Sequence, residues 1–503
     1  MDMQDILKKN KILIVIFILV SIIHVIYASL SQRAAYLDGA LYITSLLENF
    51  SYNNYTIFND PNHTRGVISF INQIPMAVGY FFMFIKNKYI LSVLFSLPCF
   101  LFPLLGLWWN YLLTKRTGRY DIFVLSFFTY ATTVLLFQIS AIVELSTSSM
   151  LCFVLMNYLA GDIDYNKKDI ALISILVIML FGSYENILFI GPILFFASLY
   201  YAVQTDNQFK QKVKFWIGQG GLYAAVYVLL FILTHHETQG ESIRFFKEFY
   251  DFLGLSLQLN TLISIIAIVL LVIFAKRQEL LSNKMLLGIG ALFSYVLFFM
   301  SKNLQTYLQP MWEYHTRTIP CWLVPLLLLA VLLIDILKKK PSKVLLTNTL
   351  SIILFCGIAQ TMWQINNTFW WNKNIDYMKK ELKEYNGRLY IPEEHEEIAS
   401  FFNKNLRRYI WHFSFASTSI VFSNDYEVKT LLSHYDKEDE VGNKKCRDWL
   451  FVENESTFYL PTARLSRKNK FWDVTKATEA LDKYNKAHNI KTFKDLEKEQ
   501  KKN

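Results

Sequence analysis

The stretch KILIVIFILVSIIHVIYASLSQRAAYLDGALY, residues 11–42, decides how the rest of the chain is read. From Lys11 to about Leu30 it is almost wholly apolar, and about 20 such residues are what a helix needs to cross a bilayer. The run is too long for the core of a signal peptide and lacks a convincing small-residue cleavage site, so it reads as a retained anchor. Directly behind it, in a patch rich in tyrosine and leucine, stands the acid Asp38.

The remainder of the chain follows the same pattern. Of 503 residues, 53% are hydrophobic and 16% aromatic, and only 18% are charged. Soluble domains carry about 25% charged residues, so the deficit marks a polytopic membrane protein. The net charge of +10 is spread in short basic clusters between apolar runs. That is how membrane topology is encoded, and it argues against nucleic acid as a partner. Cys99, Cys152, Cys321 and Cys356 fall in apolar runs and Cys446 stands alone in a polar tail, so neither disulfides nor zinc-type spacing are expected.

About eleven transmembrane helices are expected, at 11–30, 89–113, 121–143, 146–160, 170–186, 188–204, 215–234, 252–275, 285–301, 318–337 and 343–363. With the N-terminus in the cytoplasm, the inner segments hold 18 lysines and arginines against 8 in the short outer ones, which fixes the orientation. The run 66–86 is apolar enough to span, but Asn72, Gln73 and Pro75 suit an interfacial or re-entrant segment better. The expected organisation is an all-α membrane body over 1–363, with a large first outer loop at 31–88. A small α/β domain outside the membrane follows over 364–503. In that domain NIDYMKKELKEY reads as an amphipathic helix, and GRLYIP, STSIVFS and TFYLP read as strands. FWW, 369–371, reads as an interfacial aromatic anchor.

Ionisable groups at membrane depth are costly and tend to mark function. Here they gather on the outer side: Asp38, with Glu48 ten residues on; Glu144; Glu185; His235; and Lys302, His315 and Arg317 ahead of the tenth span. Plain readings stand beside each. Asp38-Gly39 also fits a helix-end turn, and Glu144 fits a solvated interfacial acid. Glu185 fits a structural ion pair, since an unpaired charge among apolar neighbours is expensive. His235 and His236 lack the helical spacing of a metal pair, Arg317 fits a snorkelling side chain, and His63 and Arg65 lie in a turn-like DPNHTRG.

Three features together resemble the membrane-embedded glycosyltransferases of the C-type (GT-C) fold: YLDGALY after the first span, RTIPCWLVPLLLL at 317–329, and a last span that delivers an outer domain. In layout the chain is similar to bacterial transferases that modify O-antigen and other envelope glycans. The resemblance implies a polyprenyl-phosphate sugar donor, a glycan or glycolipid acceptor, and a site on the outer face of a bacterial cytoplasmic membrane. It implies Asp38 as general base, Glu144 or Glu48 as a second acid, and Arg317 with His315 or Lys302 on the donor phosphate. Departures exist: Asp38 is followed by Gly39 where relatives carry a second acid, and the proline of the Arg-x-x-x-Pro pattern falls one position early, at Pro320. No Asp-x-Asp accompanies Asp38 or Glu144, so a divalent metal is left open. Competing classes are an envelope glycan polymerase or ligase, and a non-enzymatic transporter of lipid-linked glycans. The latter predicts polar residues lining the middle of several spans, which read as mostly clean here.

Overall fold

The computed structural model describes residues 3–35, 38–49, 66–135, 143–184, 186–234, 309–338, 342–384, 389–390, 418, 421–422, 430–431, 479, 483 and 486–487. Among these, helix dominates. In chain order the helices are α1 (Met3–Leu30), α2 (Asp38–Asn49), α3 (Gly66–Phe81), α4 (Lys88–Thr117), α5 (Tyr120–Thr129), α6 (Val143–Ala160), α7 (Lys167–Leu180), α8 (Ile187–Val203), α9 (Gln208–Thr234), α10 (Gln309–Ile336) and α11 (Lys343–Glu384). Helix α5 runs on into a π-helical turn, Tyr130–Val134.

Among the described residues, four segments are long and apolar enough to cross a membrane: Asn10–Leu30, Lys88–Thr117, Gln208–Phe231 and Val344–Lys380. Ile187–Val203 and Leu323–Ile336 are shorter apolar helices. The expected spans at 252–275 and 285–301 lie outside the described residues. From Ile12 to Leu30, helix α1 is apolar on nearly every face. It buries Phe17, Ser21, His24, Val25 and Ala28 while Ile12 (76%), Leu19 (55%) and Ile23 (54%) stay exposed. A single buried stripe on an otherwise apolar helix is what a helix at a lipid boundary presents.

Two compact units emerge: Met1–Ile26 with Tyr55–Asn72 and Cys99–Ile365, and Tyr27–Asn54 with Gln73–Pro98 and Asn366–Asn503. In the first, α8 and α9 pack through small residues. A Cβ on Gly191 would fall 2.2 Å from the Gly221 carbonyl oxygen, so the two backbones approach as closely as glycine allows. A polar ladder ties α4, α5 and α6. The Asn157 amide donates to Asn110 Oδ1 and to Thr114 Oγ1, both at 2.7 Å, and the Asn110 amide donates to Ser126 Oγ at 2.8 Å.

One end of this unit is a web of ion pairs. Arg116 grips Asp169 with two bonds, of 2.7 and 2.8 Å. Arg119 holds Asp121 (2.7 Å) and Asp335 (2.6 Å), and Asp335 also accepts from Tyr201 (2.6 Å). Lys210 bridges Asp162 and Asp164. The segments around 116–121, 162–169, 201–210 and 335 are thereby gathered at a common end. Asp169 also closes a capping box with Asn166 at the start of α7. Burial works against its charge, but Arg116, the Asn166 N–H and the Tyr158 hydroxyl outweigh burial and hold its carboxyl below the usual range.

In the second unit, Trp371 is fully buried. Its indole N–H donates to the Ser31 carbonyl at 3.0 Å, the Arg33 guanidinium lies 5.0 Å from its ring, and Phe422 meets it edge-on at 5.9 Å. Asn372 adds a bond to Ser31 Oγ at 2.8 Å.

Several sequence expectations change here. Helix α11 does not stop near 363 but continues to Glu384, so NIDYMKKELKEY begins as its extension and not as a separate helix. No proline interrupts 343–384, and loss of hydropathy alone does not end a helix. STSIVFS is not a strand at its described positions. Thr418, Val421 and Phe422 are helical and all buried, an i, i+3, i+4 face that tertiary packing imposes over β-propensity. Strand structure among the described residues is a parallel pairing of Leu389–Tyr390 with Thr430–Leu431; TFYLP lies outside them. In FWW, Phe369 and Trp370 are about half exposed, as an anchor should be, whereas Trp371 is a core residue. The apolar helices are also less clean than their hydropathy suggests. His24, Asn110, Ser126, Asn157, Gln360 and Gln364 are all buried within helices.

Candidate functional site

Asp38 is the first residue of α2, eight positions after α1 ends. The first part of the link, 31–35, is a tight turn, with Arg33 N donating to the Ala28 carbonyl and Ala35 N to the Gln32 carbonyl, both at 2.9 Å. Gly39 closes this junction. A Cβ there would lie 1.6 Å from the Ala34 carbonyl oxygen and 3.8 Å from the Phe95 ring. Only glycine lets the α2 backbone lie against the turn, so this position has no room for a side chain. Buried Ala40, Ile43, Leu46 and Leu47 seat α2 in its unit. Glu48 lies in its last turn.

Glu144 occupies the first turn of α6 and is 5% exposed. The plain reading of it as a solvated interfacial acid therefore does not hold. An acid in the first turn also meets the positive end of the helix dipole. Its charge acts on the thiol of buried Cys99 in α4. Phe100, the next residue, receives the edge of the His24 ring from α1 at a centroid distance of 5.6 Å. A carboxylate, a thiol and an imidazole thus belong to the first unit. His24 and Cys99 were not singled out by sequence. The signal for His24 was a lone histidine within SIIHVIYASL, the kind of intramembrane ionisable group that is costly without a purpose.

Nearby elements carry irregular backbone. In the π-helical turn Thr132 and Thr133 bond back to carbonyls four residues earlier, at 2.7 and 2.6 Å. The Gln364 amide of α11 donates to the Leu135 carbonyl at its end, at 2.5 Å. π-Bulges are frequent at functional sites, because they re-aim side chains within an otherwise regular helix.

His315 and Arg317 lie on the first third of α10, which the Asp335 ion pair anchors at its far end. His63, Arg65, Glu185, His235 and Lys302 lie outside the described residues. Asp38 belongs to the second unit, and Glu144, His315 and Arg317 belong to the first. No group of three or more metal-ligating side chains occurs among the described residues. No family model matches this chain, and no characterised protein or solved structure is significantly similar to it.

Proposed function

We propose that this chain is a membrane glycosyltransferase. It moves a sugar from a polyprenyl-phosphate donor to an envelope glycan or lipid-linked acceptor, on the outer face of a bacterial cytoplasmic membrane. The observation that carries this reading is the junction at Asp38. An acid heads a seated helix directly after an apolar segment of membrane-crossing length, with Gly39 packed onto the Ala34 carbonyl. A carboxylate at such a boundary suits a general base where a lipid-borne donor meets a water-borne hydroxyl.

The chemistry then follows. Asp38 takes the acceptor's proton as the hydroxyl oxygen attacks the anomeric carbon. The bond from that carbon to the phosphate oxygen breaks, and the phosphate leaves with the electron pair. Arg317, with His315 or Lys302, meets the charge that develops there, since a guanidinium binds phosphate in a bidentate manner. One displacement inverts the sugar's configuration. Glu144 or Glu48 serves as a second acid.

A transporter of lipid-linked glycans is the second reading, favoured by the polar side chains buried within helices, His24, Asn110, Asn157 and Gln360 among them. The asparagines are largely bonded to each other across α4 and α6, which fits interhelical glue better than a translocation path. Proteoliposomes holding a labelled polyprenyl-phosphate sugar separate the readings. The transferase forms a labelled glycan product on addition of acceptor, whereas the transporter moves label across the bilayer and forms none.

A further inference from the structure

An apolar slot with a cavity volume of about 180 Å3 runs between α3, α4, α6 and α7, all within the first unit. On α4, α6 and α7 the lining runs over 102–109, 147–154 and 172–179. At 1.5 Å per residue the slot is about 10 Å long, parallel to the helices. Apart from Thr147 and the indole N–H of Trp109, the lining side chains are apolar. Leu105 (45%) and Trp109 (42%) are partly exposed at its rim, and both lie in the membrane-crossing segment Lys88–Thr117. Water finds too few partners in such a slot, whereas the bilayer offers it hydrocarbon chains.

Hydrogen bonds lead from the slot to a basic end. Trp109 of the lining is hydrogen-bonded to Tyr158. The Tyr158 hydroxyl donates to Asp169 Oδ1 at 3.1 Å, and Arg116 donates two bonds to the same carboxylate. A third N–H of Arg116 goes to the Asp164 carbonyl at 3.4 Å. A guanidinium has five N–H donors, so the Nε–H and one Nη1–H of Arg116 remain, on a side chain that is 42% exposed. Exposed lysines flank it. Lys115 precedes it, with its Nζ 4.4 Å from the centre of the Tyr111 ring. Lys167 and Lys168 open α7, and Lys168 stands one helical turn before the lining residue Leu172. The acids of 115–121 and 162–169 are already taken: Asp121 by Arg119, Asp169 by Arg116, and Asp162 and Asp164 by Lys210. Surplus positive charge therefore stands at this end of the slot. From Lys168 to Met179 is about 16 Å along α7, the depth of one hydrocarbon leaflet in a core of ~30 Å.

We infer that the slot seats an acyl chain of an anionic glycerophospholipid whose phosphate lies at Arg116, Lys115 and Lys168. The chain fills the apolar part, the two remaining N–H groups of Arg116 donate to the phosphate, and the lysines match its net charge. This site goes beyond the transferase reading. That reading takes the polyprenyl-phosphate donor to the outer face, whereas the distribution of lysine and arginine in the sequence puts this end inside, so the donor is not the occupant.

The test uses the full chain in phosphatidylcholine nanodiscs. They are doped with a trace of phosphatidylglycerol carrying a diazirine on one acyl chain, with phosphatidylcholine carrying the same chain, or with photoreactive polyprenyl phosphate. Cross-linked peptides are read by mass spectrometry. Labelling of 102–109 and 172–179 by phosphatidylglycerol is expected to exceed that by phosphatidylcholine about tenfold, the ratio of about 1.4 kcal/mol. The exposed face of α1 at Leu19 and Ile23 is labelled equally by both. Lys115→Gln with Lys168→Gln, two exposed side chains, brings the slot ratio towards unity. Leu172→Trp, which narrows the slot at this end, lowers labelling by both phospholipids. Equal labelling of the slot by the two phospholipids overturns the proposal, as does a preference that the double variant leaves intact, or stronger labelling by polyprenyl phosphate. Selective labelling without any sugar transfer would remove the transferase reading and leave the lipid site standing, and transfer without selective labelling would do the reverse.

Discussion

A Cβ at position 39 would lie 1.6 Å from the carbonyl oxygen of Ala34. That is far inside contact distance, and the obstructing atom is backbone, which cannot rotate away. The backbone turn Ser31–Ala34 and the start of α2 are therefore held together by the absence of a side chain.

Gly39→Ala is expected to force these backbones apart and to destabilise the protein by ~1–3 kcal/mol, the usual cost of overpacking. Thermal unfolding of the purified protein in detergent reads the loss. Because Asp38 is the neighbouring residue, transfer activity should fall more than stability does at assay temperature.

Asp335 makes a second prediction. It accepts from Arg119 at 2.6 Å and from Tyr201 at 2.6 Å, and its side chain is 11% exposed. Asp335→Ala leaves a buried guanidinium with Asp121 as its remaining carboxylate. The expected cost is ~1–3 kcal/mol, that of stranding a hydrogen-bonded charge. Tyr201→Phe should cost about 1 kcal/mol, and the double variant should cost less than the sum, since both act on one network. Chemical denaturation of the single and double variants measures the coupling.

The Asp169 carboxyl, held below its ordinary range mainly by Arg116 against the pull of burial, gives a pH-dependent prediction. A depressed carboxyl stabilises the fold above its unfolded pKa of about 3.9, and that stability is lost as pH falls through the folded value. The stability gap between the native chain and Asp169→Asn should be level above about pH 5 and shrink below about pH 4. A gap that widened on acidification would reverse the assigned sign.

Trp371 offers a fourth. Trp371→Phe keeps the aromatic core against Arg33 and Phe422 but loses the bond to the Ser31 carbonyl, at a cost of about 1 kcal/mol. Trp371→Ala also opens a cavity, and about 3–5 kcal/mol is expected. Near-ultraviolet dichroism with thermal melts separates the two effects.

What could be read from the sequence follows from which forces are local. The helices α1, α4, α8 and α9 are legible because lipid demands long apolar runs and basic residues punctuate them. Glu144 was legible as an interfacial acid between two apolar runs. The extension of α11 was not, because the run turns polar near 364 while nothing in it breaks a helix. The helical Thr418, Val421 and Phe422 were hidden by their β-branched company, and only the contact with Trp371 reveals which face they bury. Gly39 read as an ordinary turn glycine, since sequence cannot show that Ala34 stands in the way. The electrostatic influence of Glu144 on Cys99 joins residues 45 positions apart, and no periodicity within either helix announces it.

The central claim is that Asp38 takes the acceptor's proton. It is tested most directly by transfer of a radiolabelled polyprenyl-phosphate sugar by the purified protein, native against Asp38→Asn. The account predicts a fall in turnover of at least about 100-fold, the scale of a lost general base, with thermal stability unchanged. Full turnover by the variant would contradict it.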